Sequence, residues 1–264
     1  MLNRQEYPSL RQGLVFAWKG DSASTVMIDE ARRSRGVWNG TNPTTQFGAA
    51  SFDGVGNNVS VTESTGLSGN VPITVSAWVR PTASSFGLLR FGGVSAGVRA
   101  TSGAFNIFGD SATVINPTGA TTVTLNAWQH CCYTYPGTQY EDVLWYLNGA
   151  GPFTVTRVNG TVGSGMNWVA GGLSHIGMNN STAYLAGQAA DVRFYRRVLT
   201  AAEVRLLASR RGIGLTPLAD RTAGLPRKLY VNVGGTWRSG DAYVNTGSGW
   251  RLGIPSVNVG GTWK

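Results

Sequence analysis

The stretch ITVSAWVRP, residues 73–81, decides the fold. Ile73, Val75, Ala77 and Val79 alternate with Thr74, Ser76, Trp78 and Arg80, the period of a β-strand with two unlike faces. Pro81 has no amide hydrogen for a ladder and closes the run. Outward from it, GLVFAW at 13–18, ASFDG at 50–54 and NVSVTE at 58–63 read as strands before it. GLLRFGG at 87–93, AFNIFGD at 104–110, FTVTRV at 153–158, SHIGMNN at 174–180 and GQAADVRFYRRVL at 187–199 read as strands after it. NAWQHCCYTY at 126–135 and DVLWYLNG at 142–149 read as neighbours joined by an acidic turn. Many short strands with Gly, Asn and Pro between them predict an all-β, two-sheet antiparallel sandwich or jelly roll.

One helix interrupts this pattern. Thr200-Ala201-Ala202-Glu203 is a capping box, followed by Val204, Leu207 and Ala208 at helical spacing. Gly212 supplies a left-handed stop and Pro217 lies just beyond, so a helix is expected over about 201–211. Residues 1–212 form the sandwich unit with an N-terminal arm at 1–12, and 213–229 read as a linker. The chain then repeats one phrase three times at a spacing of thirteen: YVNVGGTW from Tyr230, YVNTGSGW from Tyr243 and SVNVGGTW from Ser256. Each copy reads as strand, glycine turn, strand, making 230–264 a small β-hairpin repeat module.

Composition agrees with short strands and tight turns. Gly supplies 37 of 264 residues, about twice the usual share. Nine Trp, nine Tyr and nine Phe provide a core, which excludes a disordered chain. The net charge of +9 is concentrated late: residues 1–203 carry 13 Lys/Arg against 11 Asp/Glu, whereas 204–264 carry 9 against 2. These late basic residues are dispersed among Gly and Val without a nucleic-acid motif, so the partner expected for them is an acidic protein surface. No apolar run approaches a membrane span, and MLNRQEYPSLRQ does not read as a secretory signal. Cys131 and Cys132 are adjacent on one strand and point to opposite faces, so they are expected not to pair with each other, one serving as a buried small hydrophobe with the other beside it.

The segments ASFDGVGNNVSV, ITVSAWVRP, NAWQHCCYTY, LWYLNG, SHIGMNN and LAGQAADVRFYRRVLTAAEVRLLAS occur in an order that resembles the laminin-G-like, concanavalin A-like lectin/glucanase domain. The resemblance covers roughly residues 13–211 and implies a jelly roll with a short helix near its end. The continuation EVRLLASRRGIGLTP followed by VNVGGTW repeats resembles tailed-bacteriophage structural proteins that carry such a domain.

Glucanases of this fold carry their carboxylates at alternating positions of one strand, and two carboxylates are the general need of glycoside hydrolysis. Here no two acids stand two residues apart, and Asp29/Glu30 and Glu141/Asp142 are adjacent. His130 lies inside a strand beside Cys131, where a satisfied structural residue is expected rather than a base. No catalysis is expected. The glycine runs, GVGNN among them, lie between strands and are turns rather than phosphate loops. Asp53 is expected to hold a turn through backbone amides.

The resemblance also implies a calcium ion at a sheet edge. Asp29 and Asp191 occupy the matching acidic positions, with carbonyl oxygens near Asn39. Alternatively Arg32, Arg33 and Arg35 pair these carboxylates in place of the ion. Carbohydrate recognition needs exposed aromatic faces and planar polar side chains. The loop candidates are Trp38, Asn57, Asn58, Trp168, Asn179, Asn180 and Tyr184; the plainer account closes the sandwich ends with the Trp residues and forms turns from the Asn pairs.

A lone hairpin is marginal in water, whereas three in series with a Trp in each can stack. Tyr230, Trp237, Tyr243, Trp250 and Trp263 are therefore expected to serve docking or oligomerisation. The whole reads as a virion structural protein on the particle exterior, a capsid decoration or a tail-associated adhesin. Its expected partners are other virion proteins, copies of itself as a homotrimer, and host or environmental glycans. The rival reading is a lectin of the cell surface with no virion role.

Overall fold

The computed structural model describes residues 7–21, 26–31, 34–41, 44–62, 68–91, 96–109, 113–168, 174–180 and 183–215, and six strands within 229–263. The chain divides into two compact units, Met1–Gly214 and Leu215–Lys264.

The first unit contains two large antiparallel sheets. The eight-stranded sheet runs Ala150–Phe153, Leu144–Leu147, Gln129–Tyr135, Ile73–Pro81, Ala186–Tyr195, Ala49–Asp53 and Thr44–Gln46, and Leu14–Trp18 also pairs with Ala186–Tyr195. The nine-stranded sheet runs Val155–Asn159, Val114–Pro117, Ala104–Phe108, Ala96–Thr101, Phe86–Phe91, Ser174–Ile176, Asn58–Thr62, Arg35–Asn39 and Val26–Ile28. One α-helix, Ala201–Ser209, completes the expected jelly roll.

The alternation in Ile73–Pro81 serves two cores. Ile73, Val75, Ala77 and Val79 enter the large cluster between the sheets, with Tyr133, Trp145, Leu89, Ile107 and Phe194. The opposite face packs against a smaller cluster of Cys132, Tyr146, Tyr195, Leu199, Val204, Leu207, Ile213 and Leu10. Cys131 and Cys132 accordingly fall in different clusters, both buried and both free.

Two expected strands are broken. FTVTRV is divided at Thr154: Ala150–Phe153 belongs to the eight-stranded sheet and Val155–Asn159 to the nine-stranded one. Thr154 O accepts both the amide and the hydroxyl of Thr118 at this crossing. SHIGMNN is divided at Gly177, which has φ +85°. A Cβ there would meet the Phe52 ring at 2.3 Å, so a glycine lets the chain leave the sheet and form the Met178–Asn180/Ala183–Tyr184 hairpin.

The helix begins on its capping box: Thr200 Oγ1 accepts Glu203 N at 3.3 Å and Glu203 Oε2 accepts Thr200 N at 2.9 Å. It ends at Ser209, two residues before the expected limit, because Arg210 is extended and Gly212 takes φ +74°. In the second unit three hairpins form: Leu229–Val233 with Thr236–Gly240, Tyr243–Asn245 with Trp250–Leu252, and Asn258–Val259 with Thr262–Trp263. Their registers coincide, since Asn232, Asn245 and Asn258 stand opposite Trp237, Trp250 and Trp263. Tyr230 and Tyr243 lie on the first strands of their hairpins, and the side chains of all five expected docking residues lie outside the described residues.

Candidate functional site

The nine-stranded sheet presents two unlike rows. On its inner side Trp38, Val59, Ile176, Leu89, Val98, Ile107 and Ile115 are successive cross-strand partners, all in the core. On its outer side the next row is Val37, Ser60, His175, Arg90, Gly97, Phe108 and Val114. A bulge between Val98 and Arg99 keeps Leu88 and Leu89 both in the core and puts Arg99 opposite Gly87.

The outer row carries an aromatic platform. A Cβ at Gly97 would fall 2.1 Å from Phe108 Cζ, so the glycine is what lets the half-buried ring lie across the neighbouring strand. The Arg99 guanidinium stands 5.7 Å from the ring centroid, and its Nε donates to Asn106 Oδ1 at 2.7 Å. Half-buried Arg90, opposite Gly97 and next to His175, has no hydrogen-bond or ion-pair partner among the described residues. His175 Nδ1 shares a hydrogen bond of 3.3 Å with Ser60 Oγ, which accepts from Asn39 Nδ2 at 2.6 Å. Burial, and secondarily the charge of Arg90, hold the His175 pKa below its ordinary value. A flat apolar ring flanked by planar polar groups can stack one face of a sugar and hydrogen-bond its rim.

The loop residues expected to bind glycans are mostly elsewhere. Trp38 and Trp168 are buried, with ring centroids 5.0 Å from Phe52 and 5.3 Å from Phe194. Trp38 Nε1 donates to Thr41 O at 2.6 Å. Buried Asn57 accepts the Thr41 amide and hydroxyl through Oδ1, and buried Asn58 accepts from Asn39 and donates to Gly56 O. Asn179 is buried where its backbone meets Gly87. These five side chains are buried within the chain rather than exposed on loops. Tyr184 is half-buried opposite Met178, and the Asn180 side chain lies outside the described residues. Asp53 holds its turn as expected, accepting the amides of Val55, Gly56 and Asn57. Desolvation pushes that carboxyl up, but the amides of Gly56, Asn57 and Val55 outweigh it and leave the pKa lowered.

The acids proposed for calcium are occupied by the chain itself. Asp29 accepts the amides of Ala17 and Ala31 through Oδ1 and of Ser34 through Oδ2. Asp191 is clasped by Arg193, at 2.6 Å from Nε and 2.9 Å from NH2. Asn39 gives its amide nitrogen to Asn58 and Ser60. No group of three or more His, Cys, Asp or Glu converges among the described residues. Calcium takes six to eight oxygens, and these residues do not fit it. Asp191 is paired by Arg193; Arg32, Arg33 and the Arg35 side chain lie outside the described residues.

One arrangement resembles a nucleophile and its base. Ser76 Oγ and His130 Nε2 are 2.8 Å apart. Both are buried on the helix-facing side of the sheet. Burial, with the Arg193 charge second, depresses the His130 pKa to about 3.

A two-sheet antiparallel sandwich whose outer face joins an aromatic ring to planar polar groups is a lectin-like jelly roll. Residues 53–205 match the model of the concanavalin A-like lectin/glucanases superfamily, and the chain belongs to that superfamily. No curated protein sequence matches the chain. Among solved structures it is similar to domain 4 of AbnA, a GH43 extracellular arabinanase from Geobacillus stearothermophilus, in complex with arabinotriose. That likeness has 16% identity and TM-score 0.56, over 74% of this chain and 98% of that one. It is similar to Trypanosoma rangeli sialidase at 18% identity and TM-score 0.58, over 78% of this chain but 34% of the sialidase. The receptor binding domain of botulinum neurotoxin C/D mosaic serotype matches at 10% identity and TM-score 0.52, over 75% of this chain and 51% of that one. At these identities the likeness concerns the fold.

Proposed function

We propose that the jelly roll is a glycan-binding module without catalytic activity, carried on the exterior of a bacteriophage virion by its repeated C-terminal hairpins. The observation that carries the binding reading is Phe108 laid across Gly97 beside Arg99, with Arg90 opposite Gly97 on the next strand. Glycan-array binding by the full chain tests it. Phe108→Ala should lower affinity about tenfold, the scale of one lost aromatic contact. Binding to no glycan, or an unchanged affinity in a folded Phe108→Ala variant, refutes this face.

Absence of hydrolysis is supported by the strands themselves. No strand of the nine-stranded sheet contains Asp or Glu. Glu141 is held bidentately by Arg157 at 2.6 and 3.0 Å, and Glu203 by Arg197 at 2.6 and 2.9 Å. Release of reducing ends from a bound polysaccharide, abolished by Glu141→Gln, would refute it.

The virion reading is supported by the order of motifs that resembles phage structural proteins and by three hairpins in one register. Gold-labelled antibody should decorate particles from the source lysate. Label on cells but not on particles would instead favour a cell-surface lectin. Light scattering of the full chain beside residues 1–214 tests self-association through the hairpins, for which a homotrimer is expected.

A further inference from the structure

We infer that the ligand of the Phe108 face is an acidic saccharide, one bearing carboxylate or sulfate groups; this rests on the proposal that the face binds glycans. The strands of the nine-stranded sheet contain no Asp or Glu, whereas Arg90, Arg99 and His175 lie on or beside one outer row. Arg157, on the edge strand, has its charge matched by Glu141, but Arg90 and Arg99 have no carboxylate partner among the described residues.

A neutral sugar offers hydroxyls that both donate and accept, and a site that reads them supplies acceptors as well as donors. Guanidinium groups only donate. Asn106 Oδ1, which faces Arg99, accepts from Arg99 Nε, and Ser60 Oγ takes the Asn39 amide. What distinguishes this face is two guanidinium donors with no carboxylate partner among the described residues, Arg99 beside the Phe108 ring and Arg90 opposite Gly97. Arg90 and Arg99 are diagonal neighbours on adjacent strands, a relation that spans roughly 7–8 Å between backbones. Side chains rooted at that spacing on one face can both reach a single anionic ligand, whose oxygens match the planar fork of each group. Nucleic acid would also satisfy donors. However, the jelly-roll unit, residues 1–214, carries 16 basic against 11 acidic residues, and this row offers two arginines rather than the broad basic field that a phosphate backbone selects.

The test is calorimetric titration of the full chain with oligogalacturonate, polysialic acid oligomers and a heparin fragment. Methyl-esterified oligogalacturonide and linear arabinan serve as neutral comparators, and oligothymidylate as the nucleic-acid comparator. At least one acidic saccharide should bind, its neutral comparators at least about tenfold more weakly, with affinity falling as salt rises. Arg90→Gln removes no bond within the protein among the described residues, so it should keep the fold and lose about tenfold in affinity. Neutral sugars binding as well as or better than acidic ones, or Arg90→Gln binding unchanged, overturns the acidic ligand and leaves the glycan face standing. Oligothymidylate as the sole ligand overturns it in favour of nucleic acid. No binding to any saccharide overturns the face itself.

Discussion

Asp191 and Arg193, two residues apart on one strand, close a bidentate ion pair inside the protein. Asp191 has φ +50° and sits where the strand changes neighbour, from Ala49–Asp53 to Leu14–Trp18. The pair also fastens the chain beyond the helix: Gly212 N donates to Asp191 Oδ2 at 2.7 Å and Arg193 NH2 to Ile213 O at 2.6 Å. Burial alone would lower the Arg193 pKa, but the charge and hydrogen bonds of Asp191 raise it overall. Arg193→Met leaves a buried carboxylate uncompensated and should cost about 3–5 kcal/mol in denaturant unfolding. Adding Asp191→Asn should recover part of that loss. Parental stability in Arg193→Met would show that the pair holds nothing.

The helix start offers a smaller effect. Thr200→Ala removes one acceptor of the capping box and should cost about 1 kcal/mol. Glu203→Ala should cost more, because Glu203 also holds Arg197, whose hydrogen bond is the main reason its pKa is lowered. Thermal unfolding of the two variants checks the order; equal losses would mean that the Arg197 contact adds nothing.

These two cases also mark what was legible in the sequence. The capping box and Gly212 are local signals, readable without a partner. Ile73–Pro81 was legible because its two faces meet different apolar layers, which imposes strict alternation. Trp38 was not: in Arg35–Asn39 its direction depends on pairing with Asn58–Thr62, a long-range register. The Phe108 face was hidden for a related reason. Its members come from Phe86–Phe91, Ala96–Thr101, Ala104–Phe108 and Ser174–Ile176, and the bulge near Leu88 and Leu89 shifts which positions face outward. Gly97 was the available signal, a glycine inside a strand that admits a close neighbour.

The adjacent thiols should be silent in the native protein. Burial pushes Cys131 up to about 12 and Cys132 well above its usual range, the latter helped by Cys131. The thiolate is the reactive form, so neither should react with a thiol reagent at mildly alkaline pH. Both should react once denaturant is added. Rapid native labelling of either would mean that its cluster opens readily to solvent.

His130 makes stability depend on pH. Its pKa falls from 6.5 to about 3 in the folded chain, first through burial and then through the charge of Arg193. Between these values the unfolded chain holds a proton that the folded chain lacks, so unfolding gains as pH falls. The contribution is fully present above pH 6.5 and is lost as pH drops toward 3. The slope from this residue alone is at most about 1.4 kcal/mol per pH unit. Denaturant unfolding of the parent at several pH values in that window should show the decline. His130→Gln retains a polar group toward Ser76 but cannot take up the proton, so its profile should be flatter. Parallel profiles for parent and variant would remove His130 as the source and leave acid sensitivity to the carboxylates held by Arg157 and Arg197, whose pKa values are lowered.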